Sequence, residues 1–471
     1  MNTTAGTQAI ATDPGHRASS VLPRTELVAR YATLAVISLG AVQAVYATRG
    51  LYADGAYYLW RIIEARSFYI FASRASTQFI TQLPVVLAIR FGITNVSVLA
   101  RLQSLGTAAL PMAIWATTLL LLRRHRLFWP FVAIFAVTFL NSGFFSVGEY
   151  NFASALVSLS AAILLTGDLK PWACATLLLI SAVLPLSYES LAWLGPLLAV
   201  LAMARLRVIG RAWRQHSLEA GTLAGATLFY LVAAVLNVSW TVAPPYPTDL
   251  APVTLAQWMW PIFNDRQLVL SGTIATLYIF CWGFGGRAAQ RVAATVALGA
   301  SGTLLIPSLW NTPWMQYASR GVTAVALFAL LGITALGEAR LRRSAQGCRR
   351  KGGELPRAHP RAYWLVGCVL LFVQLLPFSL HTYGWTQWLS AFDSTVTTSH
   401  GILTNDATVL HFKDSSLYVW PWTDPLLSVL LHTARGQAVI LSPGQSATGR
   451  VSIPASLPKG FHMDGPLFKG W

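Results

Sequence analysis

Residues 26–66 read ELVARYATLAVISLGAVQAVYATRGLYADGAYYLWRIIEAR, and they decide the fold class. From Glu26 to Ala47 the run is apolar apart from its first turn, and a helix needs about 20 mainly apolar residues to cross a bilayer. The character then changes abruptly. Tyr52-Ala53-Asp54-Gly55-Ala56-Tyr57-Tyr58 opens a stretch in which aromatic and aliphatic residues recur at helical spacing on one side, with Arg61, Glu64 and Arg66 on the other. That pattern is an anchor followed by an amphipathic helix lying in the membrane interface, with a carboxylate at the junction.

The rest of the chain agrees. Of its 471 residues 55% are hydrophobic and 11% charged, under half the charge of an ordinary soluble domain, roughly 25%. Further apolar runs at 97–122, 127–145, 150–166, 171–187, 190–205, 219–240, 267–285, 291–309, 320–337 and 362–380 predict, with the first, about eleven spans. The expected architecture is an all-α polytopic membrane protein. It has a tail at 1–25, a membrane body at 26–380 and a small α+β extracytoplasmic domain at 381–471. A long first outer loop, 48–96, carries two interfacial helices, the second from the stretch beginning Ser76-Thr77-Gln78-Phe79.

The net charge is +17. Such an excess can signal nucleic-acid binding, but its placement argues against that and for a lipid bilayer as partner. With the N-terminus in the cytoplasm, every second connection is basic: Arg123, Arg124 and Arg126; Lys170; Arg205, Arg207, Arg211 and Arg214; Arg287 and Arg291; and a last cluster from Arg340 to Arg361. The opposite connections after the first hold only Arg266 and Arg320. This is the positive-inside pattern, so the C-terminus is expected outside. Arg-rich loops and abundant Ala and Trp point to a bacterial inner membrane. Acidic residues fall mostly on the outer side, among them Asp54, Glu64, Glu149, Glu189 and Asp393. They contribute little to orientation, so a site on that face is the natural explanation.

Four stretches could carry chemistry. Asp54 is either a helix cap, worth roughly 0.5–2 kcal/mol, or a general base for a hydroxyl. Glu149, in Gly148-Glu149-Tyr150-Asn151, sits so close to hydrocarbon that a functional role and a solvated hairpin weigh equally. Glu189, in Ser187-Tyr188-Glu189-Ser190, either faces a helix dipole or binds a sugar hydroxyl or an arginine. Arg320 ends Trp310-Asn311-Thr312-Pro313-Trp314-Met315-Gln316-Tyr317-Ala318-Ser319-Arg320. Its planar guanidinium suits a phosphate, against headgroup anchoring by snorkelling. Arg74 and Arg101 are further cations near the first loop, and Tyr57 and Tyr317 supply aromatic walls. The four cysteines and the late histidines have no metal-binding spacing.

An opening span, a long outer loop starting with Asp54 among tyrosines, two interfacial helices and a many-span body resemble the GT-C superfamily of integral-membrane glycosyltransferases. The resemblance implies a polyprenyl-phosphate-linked sugar as donor and a glycan, lipid or protein hydroxyl as acceptor. It also implies Asp54 as the catalytic base and Arg320 on the donor phosphate. Glu149, Glu189, Arg74, Tyr57 and Tyr317 complete the expected substrate site. No cofactor is demanded; a divalent cation stays open, although the second outer loop has one acid and no DxD. The competing readings are a transporter or flippase for lipid-linked saccharides, and a polysaccharide polymerase or ligase.

Overall fold

The computed structural model describes residues 23–141, 148–166, 169–210, 215–242, 266–305, 320–350, 363–404, 418, 424–431, 437–441, 457–463 and 467. Helix α1, Arg24–Tyr46, is followed by a 3-10 turn at Arg49–Leu51, by α2, Asp54–Ala65, and by α3, Ala75–Arg90. The body continues with α4, Val96–Leu121, α5, Phe128–Leu140, α6, Glu149–Thr166, and α7, Pro171–Leu186. Then come α8, Leu191–Ile209, α9, Ser217–Val242, α10, Arg266–Phe284, α11, Arg287–Thr303, α12, Arg320–Arg350, and α13, Tyr363–Thr398.

Eight of these helices are long and apolar enough to cross a membrane: α1, α4, α6, α8, α9, α10, α12 and α13. The other three predicted runs form helices α5, α7 and α11, which are shorter over the described residues. At 1.5 Å per residue, α5 extends about 20 Å, short of a hydrocarbon core about 30 Å thick. The outer faces of the long helices expose large apolar side chains, including Leu39, Val235 and Phe372, each more than 60% accessible. So wide an apolar surface belongs against lipid; the chain is a multi-pass, mostly helical membrane protein.

At the centre stand α5 and α6, both buried on nearly every face. α5 is apolar all round because it meets protein on all sides, and α6, equally enclosed, adds Asn151, Ser154, Ser158 and Ser160 to its apolar residues. Trp115 of α4 packs on Phe135 of α5, and α6 is enclosed by α4, α8 and α12.

One end of the bundle is tied by arginines. Glu338 of α12 accepts from Arg126 and Arg342, at 2.7 and 2.8 Å. Arg342 also donates to the Leu165 carbonyl at the end of α6. Arg205 joins Glu219 to the Leu164 carbonyl, and Arg30 joins Glu26 to the carbonyls of Arg123 and His125. Guanidinium groups at helix C-termini satisfy carbonyls that have no helical donor. Every acidic residue described at this end is held by an arginine. The connections expected in the cytoplasm are therefore gathered at one end of the molecule.

Helix α13 runs past 380 without a break to Thr398. Beyond it β1, His400–Thr404, pairs in parallel with β2, Gln437–Leu441, and α14, Asp424–Leu430, packs on β2 and on α2. Of the two alternating stretches that suggest strands in this region, 437–443 and 407–412, the first holds β2 and the second lies outside the described residues. The strand at 400–404 carried no signal in the sequence. The segment 457–463 returns to the first loop. The Val96 N–H donates to the His462 carbonyl at 3.0 Å, the His462 N–H donates to the Thr94 carbonyl at 3.2 Å, and Arg66 donates to the Lys459 carbonyl at 2.6 Å.

Candidate functional site

The chain leaves α1 through two non-glycine residues with positive φ, Thr48 at 47° and Ala53 at 50°. Each such residue costs of order 1–3 kcal/mol and persists only where its surroundings hold it. Here Trp385 of α13 donates its indole N–H to the Ala47 carbonyl at 3.0 Å and meets the edge of Tyr52 at 5.4 Å. Asp54 comes next. The capping position falls on Ala53, so Asp54 is the first residue of α2, half-buried, its charge favoured by the helix dipole. Tyr58 lies one turn on, on the same face as Asp54.

Near Tyr58 lies a polar network built by α3. The sequence Thr77-Gln78-Phe79-Ile80-Thr81-Gln82 turns Thr77, Gln78, Thr81 and Gln82 inward and leaves Phe79 and Leu87 exposed. Over its first half the helix thus turns polar side chains to protein and Phe79 outward, the reverse of a soluble helix and a sense that spacing alone does not give. Gln82 bonds both backbone groups of Tyr69, at 2.9 and 2.7 Å. Gln78 accepts from the Phe71 N–H at 2.6 Å and donates to Glu149 at 2.8 Å. Thr77 donates to the Ser187 carbonyl at 3.1 Å. α3 crosses α4 closely at Gly106, where a Cβ would sit 1.8 Å from the Thr81 carbonyl oxygen.

Arg74 donates to Glu189 through Nε and Nη2, at 3.0 and 2.9 Å, and lies 4.8 Å from the Tyr188 ring centre. Burial works against the Arg74 charge, yet Tyr188, Glu189, Glu149 and Tyr58 together lift its pKa well above the usual guanidinium value. Three of the expected residues, Arg74, Glu149 and Glu189, thus belong to one neighbourhood, joined through Gln78, and Tyr58 reaches it from α2, the helix that Asp54 opens. Glu189 takes the arginine alternative. Tyr57 turns aside: its hydroxyl meets that of Tyr69 at 2.8 Å, and burial and this bond push its pKa up to about 12. Arg101 is exposed on α4.

Tyr317 and the rest of 310–319 lie outside the described residues. Arg320 opens α12, whose other half carries Glu338 at the arginine-tied end. Its backbone is therefore at the same end of the bundle as Asp54. Among the described residues no three His, Cys, Asp or Glu side chains are grouped to hold a metal ion.

The sequence reading missed Gln78 and Gln82. Their signal was the Thr-Gln pair repeated four residues apart in an otherwise apolar helix, which places four hydrogen-bonding groups on one stripe. No family model matches this chain, nor does any curated protein or solved structure.

Proposed function

We propose that the protein is a GT-C-type glycosyltransferase of the bacterial inner membrane, with about eleven crossings, its N-terminus in the cytoplasm and its C-terminus outside. It would move a sugar from a polyprenyl-phosphate donor to an acceptor hydroxyl on the outer face. The observation that carries this reading is the strained turn at Ala53. It sets a half-buried carboxylate, Asp54, at the head of α2, whose Tyr58 acts on Arg74 in a polar network that also holds Glu149 and Glu189. Strain of this kind collects where geometry serves chemistry.

In the reaction the acceptor oxygen attacks the anomeric carbon, and the bond from that carbon to the phosphate oxygen breaks. Asp54 takes the hydroxyl proton as general base, and polyprenyl phosphate leaves as a stable anion with inversion at carbon. Arg320 stabilises the developing phosphate charge in this reading. Arg74 has its first partner in Glu189, so its task is to fix that carboxylate and to lend positive potential to the site.

The test is transfer of labelled hexose from polyprenyl phosphate by the purified protein in proteoliposomes. The Asp54→Asn variant is expected to lose about 10²–10⁴-fold in rate with normal membrane insertion. A variant as active as the wild type removes Asp54 from the base role. Movement of the intact donor across the bilayer without any glycosyl product replaces the transferase with a flippase.

A further inference from the structure

A small polar cavity of about 10 Å³ lies between the end of α5, the start of α10 and the middle of α13. Asn141, Gln267, Gln374, Phe378 and His381 line it. Gln267 donates to Gln374 at 3.1 Å. That leaves Gln267 Oε1, Gln374 Nε2 and both amide atoms of Asn141 without a partner among the described residues. The three side chains are 2%, 0% and 3% accessible. Each unsatisfied buried group costs about 1–3 kcal/mol, and a set of them in one place calls for a ligand. Pro377, also in the lining, cannot give the Val373 carbonyl its helical N–H and adds an acceptor nearby.

The orphaned groups are mixed: two N–H donors and two carbonyl acceptors. An anion would leave the acceptors idle, a cation the donors, and an alkyl group all of them. A hydroxyl gives one hydrogen and accepts two, and the volume suits one oxygen-sized group. The position ties the cavity to the site already described. Phe378 lies under the Arg49 guanidinium, 4.3 Å from its carbon, in the turn that leads to Asp54. Trp385, one turn beyond His381, holds Ala47 of the same turn.

We propose that this cavity is a subsite for one hydroxyl of the donor saccharide, occupied by water when no substrate is present. The proposal rests on the sugar-transfer reading. Asn141, Gln267 and Gln374 recognise the sugar and take no part in proton transfer.

The experiment uses the full chain in nanodiscs and compares binding of a polyprenyl-phosphate hexose with that of bare polyprenyl phosphate. The wild type is expected to prefer the sugar-bearing lipid by about tenfold or more. The double variant Gln267→Met/Gln374→Met keeps side-chain volume and removes both orphaned amides, so it should fold at least as well. It is expected to bind both lipids alike, with affinity for the bare lipid unchanged; Asn141→Leu provides a second variant on another helix. A preference that persists in both variants overturns the subsite and leaves the donor reading intact. Equal loss of both lipids, with lower thermal stability, marks a purely structural cluster and also overturns it. A wild type that shows no preference overturns the donor reading and the subsite together.

Discussion

At the scale of single residues, the pair Arg74–Glu189 makes the clearest demand. Arg74→Met leaves a buried carboxylate beside Tyr188, at a cost of about 3 kcal/mol, the low end for buried pairs because both side chains keep some solvent contact. A denaturation curve in detergent should show it, and Arg74→Met/Glu189→Leu should recover most of the loss. Tyr57 makes a demand on pH. Its folded pKa of about 12 lies above the ordinary value near 10. The unfolded chain therefore ionises first, and stability present below pH 10 is lost as pH rises towards 12. Tyr57→Phe should show a shallower fall of melting temperature over that window. Asp54 and Glu189 stood out in the sequence because an acid beside an apolar run is costly. The partner of Glu189 was not legible, since Arg74 lies 115 positions away. Asn141, Gln267 and Gln374 were invisible for the same reason: neutral amides scattered over three helices form no local pattern.

At the scale of elements, α3 carries the lesson. Its helical character was legible in the first outer loop, but not the direction of its polar face. In a membrane protein the apolar side of a helix can face lipid and the polar side protein, so periodicity leaves the sense open. The tight crossing of α3 and α4 at Gly106 gives a direct test. Gly106→Ala forces a Cβ against the Thr81 carbonyl and should cost about 1–3 kcal/mol, seen as a lower melting temperature in detergent and a weaker Gln78–Glu149 contact. Gly221→Ala, on α9, meets nothing within 4 Å and should be neutral or stabilising by roughly 0.5–1 kcal/mol, since Ala is the better helix former.

At the scale of the molecule, the apolar runs gave the helices and the arginines gave their ends, because lipid imposes length and charge imposes direction. The ion pairs at Glu338, Glu219 and Glu26 collect the basic connections at one end. The orientation is checked by single cysteines. A membrane-impermeant maleimide should label position 64 in intact cells and position 207 only after lysis; the reverse result turns the molecule over.

The enclosure of α6 has a consequence for how the chain is made. This helix carries Asn151, Ser154, Ser158 and Ser160, and 94% of its apolar window is shielded by neighbours in the finished bundle. During synthesis α4 is already in place when α6 reaches the bilayer, but α8 and α12 are not, so the sides they cover are still open. α12, which begins only at Arg320, supplies part of its sheath. A nascent chain stopped before that point leaves one side of the central helix uncovered.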